Sequence, residues 1–250
     1  MVKLLKKVAA FLFLIWGFLV FISAMILVFP LILLISALVQ KKKSQDLIFF
    51  FLKIWAWIFS VLCFFPVRTR GRNSLDPDKA CIYVCNHNSY LDAIAVVLAI
   101  PGSFKPLGKI EMVKIPIFGM IYKRVVVLID RKSPESRARS VEELKIDLGN
   151  GQSILIFPEG TMNRSDEPLS EFYDGAFRLA IETQTAIVPM VILNARKLLP
   201  RDYPLAIRPG VLECVFADRV EVTGLKPDDL GDLKARVYKC MEDLIIENRV

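Results

Sequence analysis

The pattern of apolar and polar positions divides the chain into two parts. From Val8 to Val39 no charged residue occurs, and a second apolar stretch, Leu47 to Phe65, carries only Lys53 as a charge. Beyond Arg68 the pattern changes to short apolar runs separated by amphipathic stretches. The runs Cys81–Cys85, Val125–Ile129, Ser153–Phe157, Ala186–Leu193 and Val211–Ala217 are almost uninterrupted, as strands buried on both faces are. Between and after them the pattern predicts helices over Tyr90–Ala99, Ser133–Leu148, Asp174–Thr183 and Pro227–Asn248. Ser133 stands as N-cap, Pro134 at the first helical position and Gly149 at the exit. In the last helix Leu230, Leu233, Val237, Met241, Leu244 and Ile245 share one face. Pro189 interrupts the fourth run, which predicts an edge strand or a bulge there. Asn73 to Lys79, with Pro77, reads as a polar loop. Alternating strands and helices imply an α/β fold: a mixed, largely buried central sheet flanked by helices, preceded by N-terminal membrane-embedded helices. The expected division is residues 1–67 as a helical membrane anchor and 68–250 as the α/β domain.

A straight helix over the first apolar stretch would be ~48 Å long, against a bilayer core of ~30 Å. It must tilt, kink or turn, and Pro30 is the expected break. A secretory signal peptide has a shorter apolar core, roughly 7–15 residues. Trp55 and Trp57 suit a membrane interface. Composition agrees: 54% of the residues are hydrophobic and the mean hydropathy is +0.45, too apolar for an ordinary soluble domain.

Charge sharpens this picture. Of the net +7, residues 1–43 carry +6 through Lys3, Lys6, Lys7, Lys41, Lys42 and Lys43, with no acid among them. The remainder is close to neutral, which gives no support to nucleic-acid binding. Lysines bracketing an apolar stretch fit an anionic membrane surface. Two full spans would put Lys41–Lys43 on the outer side, against the positive-inside rule; a re-entrant or interfacial hairpin keeps every lysine in the cytoplasm. The reading favours two embedded helices with the catalytic domain facing the cytoplasm. The five cysteines form neither a disulfide framework nor a CxxC pair, which fits a reducing compartment.

The chain has one histidine, His87, which excludes a multi-histidine metal site. No GxSxG elbow, GxxxxGKS/T or GxGxxG occurs. His87 directly follows an apolar strand, in Asn86-His87-Asn88-Ser89-Tyr90-Leu91-Asp92. Two readings are open and compatible. Ser89 and Asp92 can form a helix-capping pair. Alternatively, His87 sits at a strand's C-terminal edge, where α/β active sites lie, with Asp92 accepting from one ring nitrogen and the other free to take a proton from an alcohol.

Further segments give the histidine a context. Phe157-Pro158-Glu159-Gly160-Thr161 follows a buried strand, Ile129-Asp130-Arg131 ends another behind Ile115-Pro116-Ile117-Phe118-Gly119, and Ile187-Val188-Pro189-Met190-Val191 is a third apolar run. With Asn86 to Asp92, and in their order along the chain, they resemble the four motifs of the 1-acyl-glycerol-3-phosphate acyltransferase (PlsC-like) family over about residues 68–220.

The resemblance implies His87 as general base on the acceptor hydroxyl and Asp92 as its support. It implies Lys109 and Arg131 as ligands of the acceptor phosphate. Glu159, Gly160 and Thr161 would complete the acceptor site. One place departs from the family. Its third motif usually reads Glu-Gly-Thr-Arg, but here Met162 holds the fourth position and the next arginine is Arg164. That leaves the headgroup open, with Arg164 as the substitute ligand. The leading expectation is acylation of a lysophosphatidate-type acceptor to phosphatidate, with acyl carrier protein or CoA thioester as co-substrate and no cofactor or metal. The alternatives are the same chemistry on another lyso-lipid, such as a lyso-amino-acid lipid, and a catalytically silent membrane-anchored binding protein.

Overall fold

The computed structural model describes residues 2–76 and 79–248, so Pro77 of the polar loop lies outside the described residues. The chain forms two compact units. The first holds the residues up to Thr69, together with Asn88–Pro101 and Ile192–Cys214. The second holds Arg70–His87, Gly102–Val191 and the residues from Val215 onward.

In the first unit, α1 (Val2–Leu38) packs against α2 (Lys41–Leu62), and α2 packs against α3 (Asp92–Ala99). α1 runs through Pro30 without interruption, contrary to the expected break. A proline removes one N–H and crowds one carbonyl; helical pairing in the flanking turns continues across the defect. The two helices are joined through aromatic contacts. Phe21 meets Trp55 edge-on at 4.9 Å between ring centroids, and the Trp55 Nε1–H donates to the Phe21 carbonyl at 3.2 Å. The Trp16 Nε1–H likewise donates to Leu62 O at 2.9 Å. On the α1 surface away from this seam, Leu4, Leu5, Phe11, Leu12, Phe18, Leu19, Leu27 and Leu34 are all more than half exposed. A continuous apolar surface of this size needs a non-aqueous neighbour. By length and composition both helices can cross a membrane, over Leu4–Leu38 and Lys43–Leu62.

The strands form a seven-stranded sheet in the order β1-β7-β6-β2-β5-β3-β4. They are β1 (Val67–Arg70), β2 (Ile82–Cys85), β3 (Phe104–Lys109), β4 (Val127–Ile129), β5 (Ser153–Ile156), β6 (Ile187–Leu193) and β7 (Leu212–Phe216). From β6 through β2, β5 and β3 to β4 each neighbouring pair is parallel. All residues of β2 and β6 are buried, which explains their unbroken apolar sequence. In the second unit, α5 (Pro134–Gly149) packs on β3, β4 and β5, α6 (Gly175–Thr183) packs on β2 and α5, and α7 (Leu230–Glu247) packs on α6. α5 starts as expected: Ser133 Oγ accepts from the Ser136 N–H at 3.1 Å, with Pro134 at the first position.

Pro189 lies in the sheet interior, opposite Val84 of β2, and marks neither an edge nor a bulge. The N–H and C=O of a strand residue point to the same side. The Pro189 carbonyl accepts from the Ala217 N–H at 2.9 Å, so its missing N–H falls on that side. Ala217 already lies past the end of β7, where a ladder bond is dispensable. Two strands escaped the pattern. β3 contains Pro106, Gly108 and two lysines, and of its residues only Phe104 is buried; β1 is an exposed-alternating strand, Val67-Arg68-Thr69-Arg70.

Candidate active site

Four neighbouring parallel strands, β2, β5, β3 and β4, deliver the polar groups of the second unit at their C-terminal ends. His87 follows β2, Glu159 and Gly160 follow β5, Lys109 ends β3, and Arg131 follows β4. Register makes the neighbourhood close. Val84 pairs with Ile156, so His87 and Glu159 each stand three residues beyond a paired position, and Lys109 pairs with Ile129, two residues before Arg131. The carboxyl edge of a parallel sheet is where adjoining loops separate and leave room for a ligand.

His87 is held at its backbone and its ring. Its N–H donates to Glu159 Oε1 at 2.7 Å, and its carbonyl accepts from the Asn163 N–H at 2.6 Å. Its ring stacks on Phe157, 4.4 Å between centroids and 28° between planes. Both sides of the histidine are therefore clamped by the segment Phe157–Asn163, while the imidazole keeps partial access to solvent.

Glu159 is only 2% exposed. Its second oxygen accepts from the Ser170 N–H at 2.8 Å, so each carboxylate oxygen serves a main-chain donor. Burial pushes its carboxyl up, and the hydrogen bonds from Ser170 and His87 pull part of that back. This geometry makes Glu159 a strut under His87.

Gly160 closes a turn, its N–H donating to Phe157 O at 3.0 Å. Its φ is +68°, and an added Cβ would come within 2.8 Å of the Tyr173 ring and 3.2 Å of Arg131 Nη1. Only glycine meets both conditions. Arg131 Nη1 donates to the Gly160 carbonyl. Partial burial lowers the Arg131 pKa, and the nearby Tyr173, Glu111 and Tyr122 act in the opposite sense. The guanidinium keeps its charge. Tyr122, whose hydroxyl is pushed up to about 12 by burial, lies against Gly108 beside Lys109. Lys109 is exposed at the strand end, and Thr161 and Arg164 are exposed on the loop after Gly160.

In the first unit Asp92 is fully buried at the head of α3. Its Oδ2 accepts from the Asn88 N–H at 2.7 Å and the Ser89 N–H at 2.9 Å, while Ser89 Oγ accepts from the Leu91 N–H at 3.3 Å. Only half of the expected Ser89–Asp92 capping pair forms: Asp92 accepts from the Ser89 N–H, but the Asp92 N–H donates to the Ser89 main-chain carbonyl, and the helix begins at Asp92 with Leu91 as its N-cap. The Ser89 hydroxyl also donates to Leu199 O at 2.9 Å.

Three residues that hold His87 and Glu159 were given no role by the motifs. Phe157 supplies the ring under His87, and Ser170 the second donor to Glu159. Asn163, 6% exposed, organises the loop: its Oδ1 accepts from the Ser165 N–H at 2.8 Å and its Nδ2 donates to Glu167 O at 3.0 Å. Asn-x-Ser after a glycine is an Asx-turn pattern that could have marked it.

The model of the family described as Acyltransferase matches residues 66–193. A 1-acyl-sn-glycerol-3-phosphate acyltransferase of Chlamydomonas reinhardtii is 31% identical over 218 residues, covering 85% of this chain and 63% of that protein. The chloroplastic 1-acyl-sn-glycerol-3-phosphate acyltransferase of Arabidopsis thaliana is 31% identical over 88% of this chain and 60% of that protein. The alpha form from Ovis aries is 30% identical over 70% of this chain and 61% of that protein. The chain thus spans about three fifths of the length of these relatives. The crystal structure of PlsC, the 1-acyl-sn-glycerophosphate acyltransferase of Thermotoga maritima, has the same fold: TM-score 0.82, 18% identity, 98% of this chain and 99% of that one.

Proposed function

This chain belongs to the acyltransferase family, and from that premise we propose that it acylates the free hydroxyl of 1-acyl-glycerol-3-phosphate, giving phosphatidate. The carrying observation is the row of groups at the carboxyl edge of β2, β5, β3 and β4: one histidine, clamped at its backbone, beside a lysine and an arginine on adjacent strands. A base on the same sheet edge as two cations suits an alcohol nucleophile that carries a phosphate. The names of the curated relatives point to the same acceptor.

In the proposed reaction a ring nitrogen of His87 takes the acceptor's hydroxyl proton as the oxygen attacks the thioester carbonyl. The C–O bond forms, the C–S bond breaks, and the thiolate leaves and recovers a proton. A thioester has a good leaving group, so base and placement suffice without an acyl-enzyme. Asp92 supports the histidine, and Lys109 and Arg131 bind the phosphate. The donor is an acyl carrier protein or CoA thioester. Purified protein given a panel of lyso-lipids with labelled donors of both kinds tests the assignment; absence of phosphatidate from lysophosphatidate with either donor would refute it.

Arg131→Ala should raise KM for a phosphate-bearing acceptor more than for the donor. Losing a charge-assisted contact costs about 1.5–3 kcal/mol, roughly ten- to more than a hundredfold. Equal losses towards both substrates would point to a purely structural link between Arg131 and Gly160.

Met162 supplies a second reading, another lyso-lipid with less negative charge. If exposed Arg164 reaches the phosphate, Arg164→Ala should sharply weaken use of lysophosphatidate and Met162→Arg should do little. With a less anionic acceptor, Arg164→Ala should be nearly silent and Met162→Arg should improve lysophosphatidate relative to that lipid. The retained Lys109 and Arg131 favour the first outcome.

The same proposal has α1 and α2 embed the protein in a bilayer with the catalytic residues on the cytoplasmic side. Membrane association should survive carbonate and high-salt washing, because burial of apolar surface is insensitive to salt. A chain lacking 1–65 should aggregate, since α3 loses the α2 face that covers it. Release of the intact protein by salt alone would assign the anchoring to the lysines.

A further inference from the structure

The second unit carries an exposed apolar surface that neither the fold nor the candidate site uses. Lys109 leads into a 3₁₀ turn, Ile110–Lys114, which packs against α4 (Phe118–Val125). The two are fused: an added Cβ on Gly119 would lie 2.0 Å from the Val113 carbonyl oxygen. The connection is a γ-turn of the rarer hand, with Ile117 at φ 61°, ψ −59° and the Phe118 N–H donating to Pro116 O at 2.6 Å. A β-branched residue seldom adopts that conformation, so the surrounding packing must hold it. The sharp turn sets Ile115 and Pro116 on the outside.

Within α4, Gly119, Ile121 and Val125 are buried and Met120 and Lys123 are exposed. Residues three apart share a helix face, so Met120 and Lys123 point outward together. Ile110, Ile115 and Met120 are 42%, 44% and 41% exposed. Around them lie Lys109, Lys114 and Lys123, all exposed, with Glu111 as the acidic member of the segment. Short apolar side chains ringed by lysines make an interfacial pattern: the stems and apolar tips enter the headgroup layer while the ammonium groups stay at anionic phosphates. Folded soluble surfaces seldom group apolar side chains this way without a partner.

We propose that Ile110, Ile115, Pro116 and Met120, flanked by Lys114 and Lys123, form a second membrane contact, seated on an anionic bilayer surface next to the strand ends that carry Lys109 and Arg131. This contact is separate from the apolar helices α1 and α2. It sets the carboxyl edge of the sheet at the level of lipid headgroups, where a phosphate-bearing lipid is met without leaving the membrane. Its test reads membrane contact and not acyl transfer, so it stands or falls apart from the proposed reaction.

The full chain is labelled with an environment-sensitive dye at Ile115→Cys and, as a control, at Ile146→Cys on α5, which is 63% exposed. Both are made in a Cys240→Ser background, since the other native cysteines are buried. Protein is reconstituted in phosphatidylcholine vesicles with and without phosphatidylglycerol, some carrying nitroxide-labelled lipid. The dye at 115 should shift to the blue and be quenched by the nitroxide in anionic vesicles, while the dye at 146 reports water. Lys114→Ala with Lys123→Ala should lower the docked-to-undocked ratio roughly thirtyfold, about fivefold for each lysine near an anionic surface. A dye at 115 as aqueous as that at 146 would overturn the proposal. So would equal insertion into neutral and anionic vesicles. A shift that appears only on adding acyl carrier protein would overturn it too, giving the face to a protein donor.

Discussion

His87→Ala is expected to lower acyl transfer by at least ~100-fold, the usual scale of general-base catalysis. The backbone of residue 87 donates to Glu159 and accepts from Asn163 whatever the side chain, so the substitution should leave the loop in place. The companion variant is Asp92→Asn. An asparagine oxygen can still accept from the Asn88 and Ser89 N–H groups, so the turn before α3 survives while the negative charge goes. A drop similar to or smaller than that of His87→Ala, in a protein that remains folded, would assign the loss to the charge and not to the turn. Initial rates with labelled donor, beside circular dichroism of each variant, decide the matter. More than about a third of wild-type activity in His87→Ala would end the base mechanism.

Glu159→Ala is expected to have the second-largest effect, by a different route. It orphans the His87 and Ser170 N–H groups in a site from which water is largely excluded, at about 1–3 kcal/mol for each donor. The base then loses one of its two backbone clamps, and a displacement of ~1 Å can cost a hundredfold in rate. Glu159→Gln should fall between wild type and alanine. Its carbonyl oxygen can keep one of the two donors, but its amide nitrogen meets the other donor-to-donor. For a positioning residue kcat should fall while KM for the acceptor changes little. A rise in acceptor KM with kcat intact would return Glu159 to direct acceptor binding. A folded alanine variant of full activity would show that Asn163 and Phe157 hold His87 without it.

The clamp on His87 joins two motifs that lie far apart in the chain. Asn86 to Asp92 carries the proposed base, and the segment after β5 provides the carboxylate, the partner of its carbonyl and the aromatic floor that fix His87. Gly160 joins this segment to the arginine after β4, since its left-handed turn puts a carbonyl at the guanidinium. A side chain at 160 would disturb both contacts at once.

The sequence alone determined the features that follow from local pattern. Unbroken apolar runs marked β2, β5, β6 and β7, because a strand covered on both faces has no polar position to spare. Ser133-Pro134 marked the head of α5 through a side-chain oxygen and a preset φ, both local properties. The two apolar helices, the lone histidine and the ordered motifs were equally plain. Tertiary structure decided the rest. β3, with Pro106, Gly108 and two lysines, is a strand because β4 and β5 offer it ladders on both sides, which no local propensity encodes. Pro189 is tolerated inside the sheet because its neighbour has already left the ladder, and Pro30 inside α1 because the flanking turns continue. The motif marked Glu159 but not the donors it meets, because only the fold brings the backbone of residues 87 and 170 to its two oxygens. A carboxylate in a motif announces charge, but where that charge is spent depends on which donors the chain returns to it from elsewhere, and that is settled only when strands distant in sequence lie side by side.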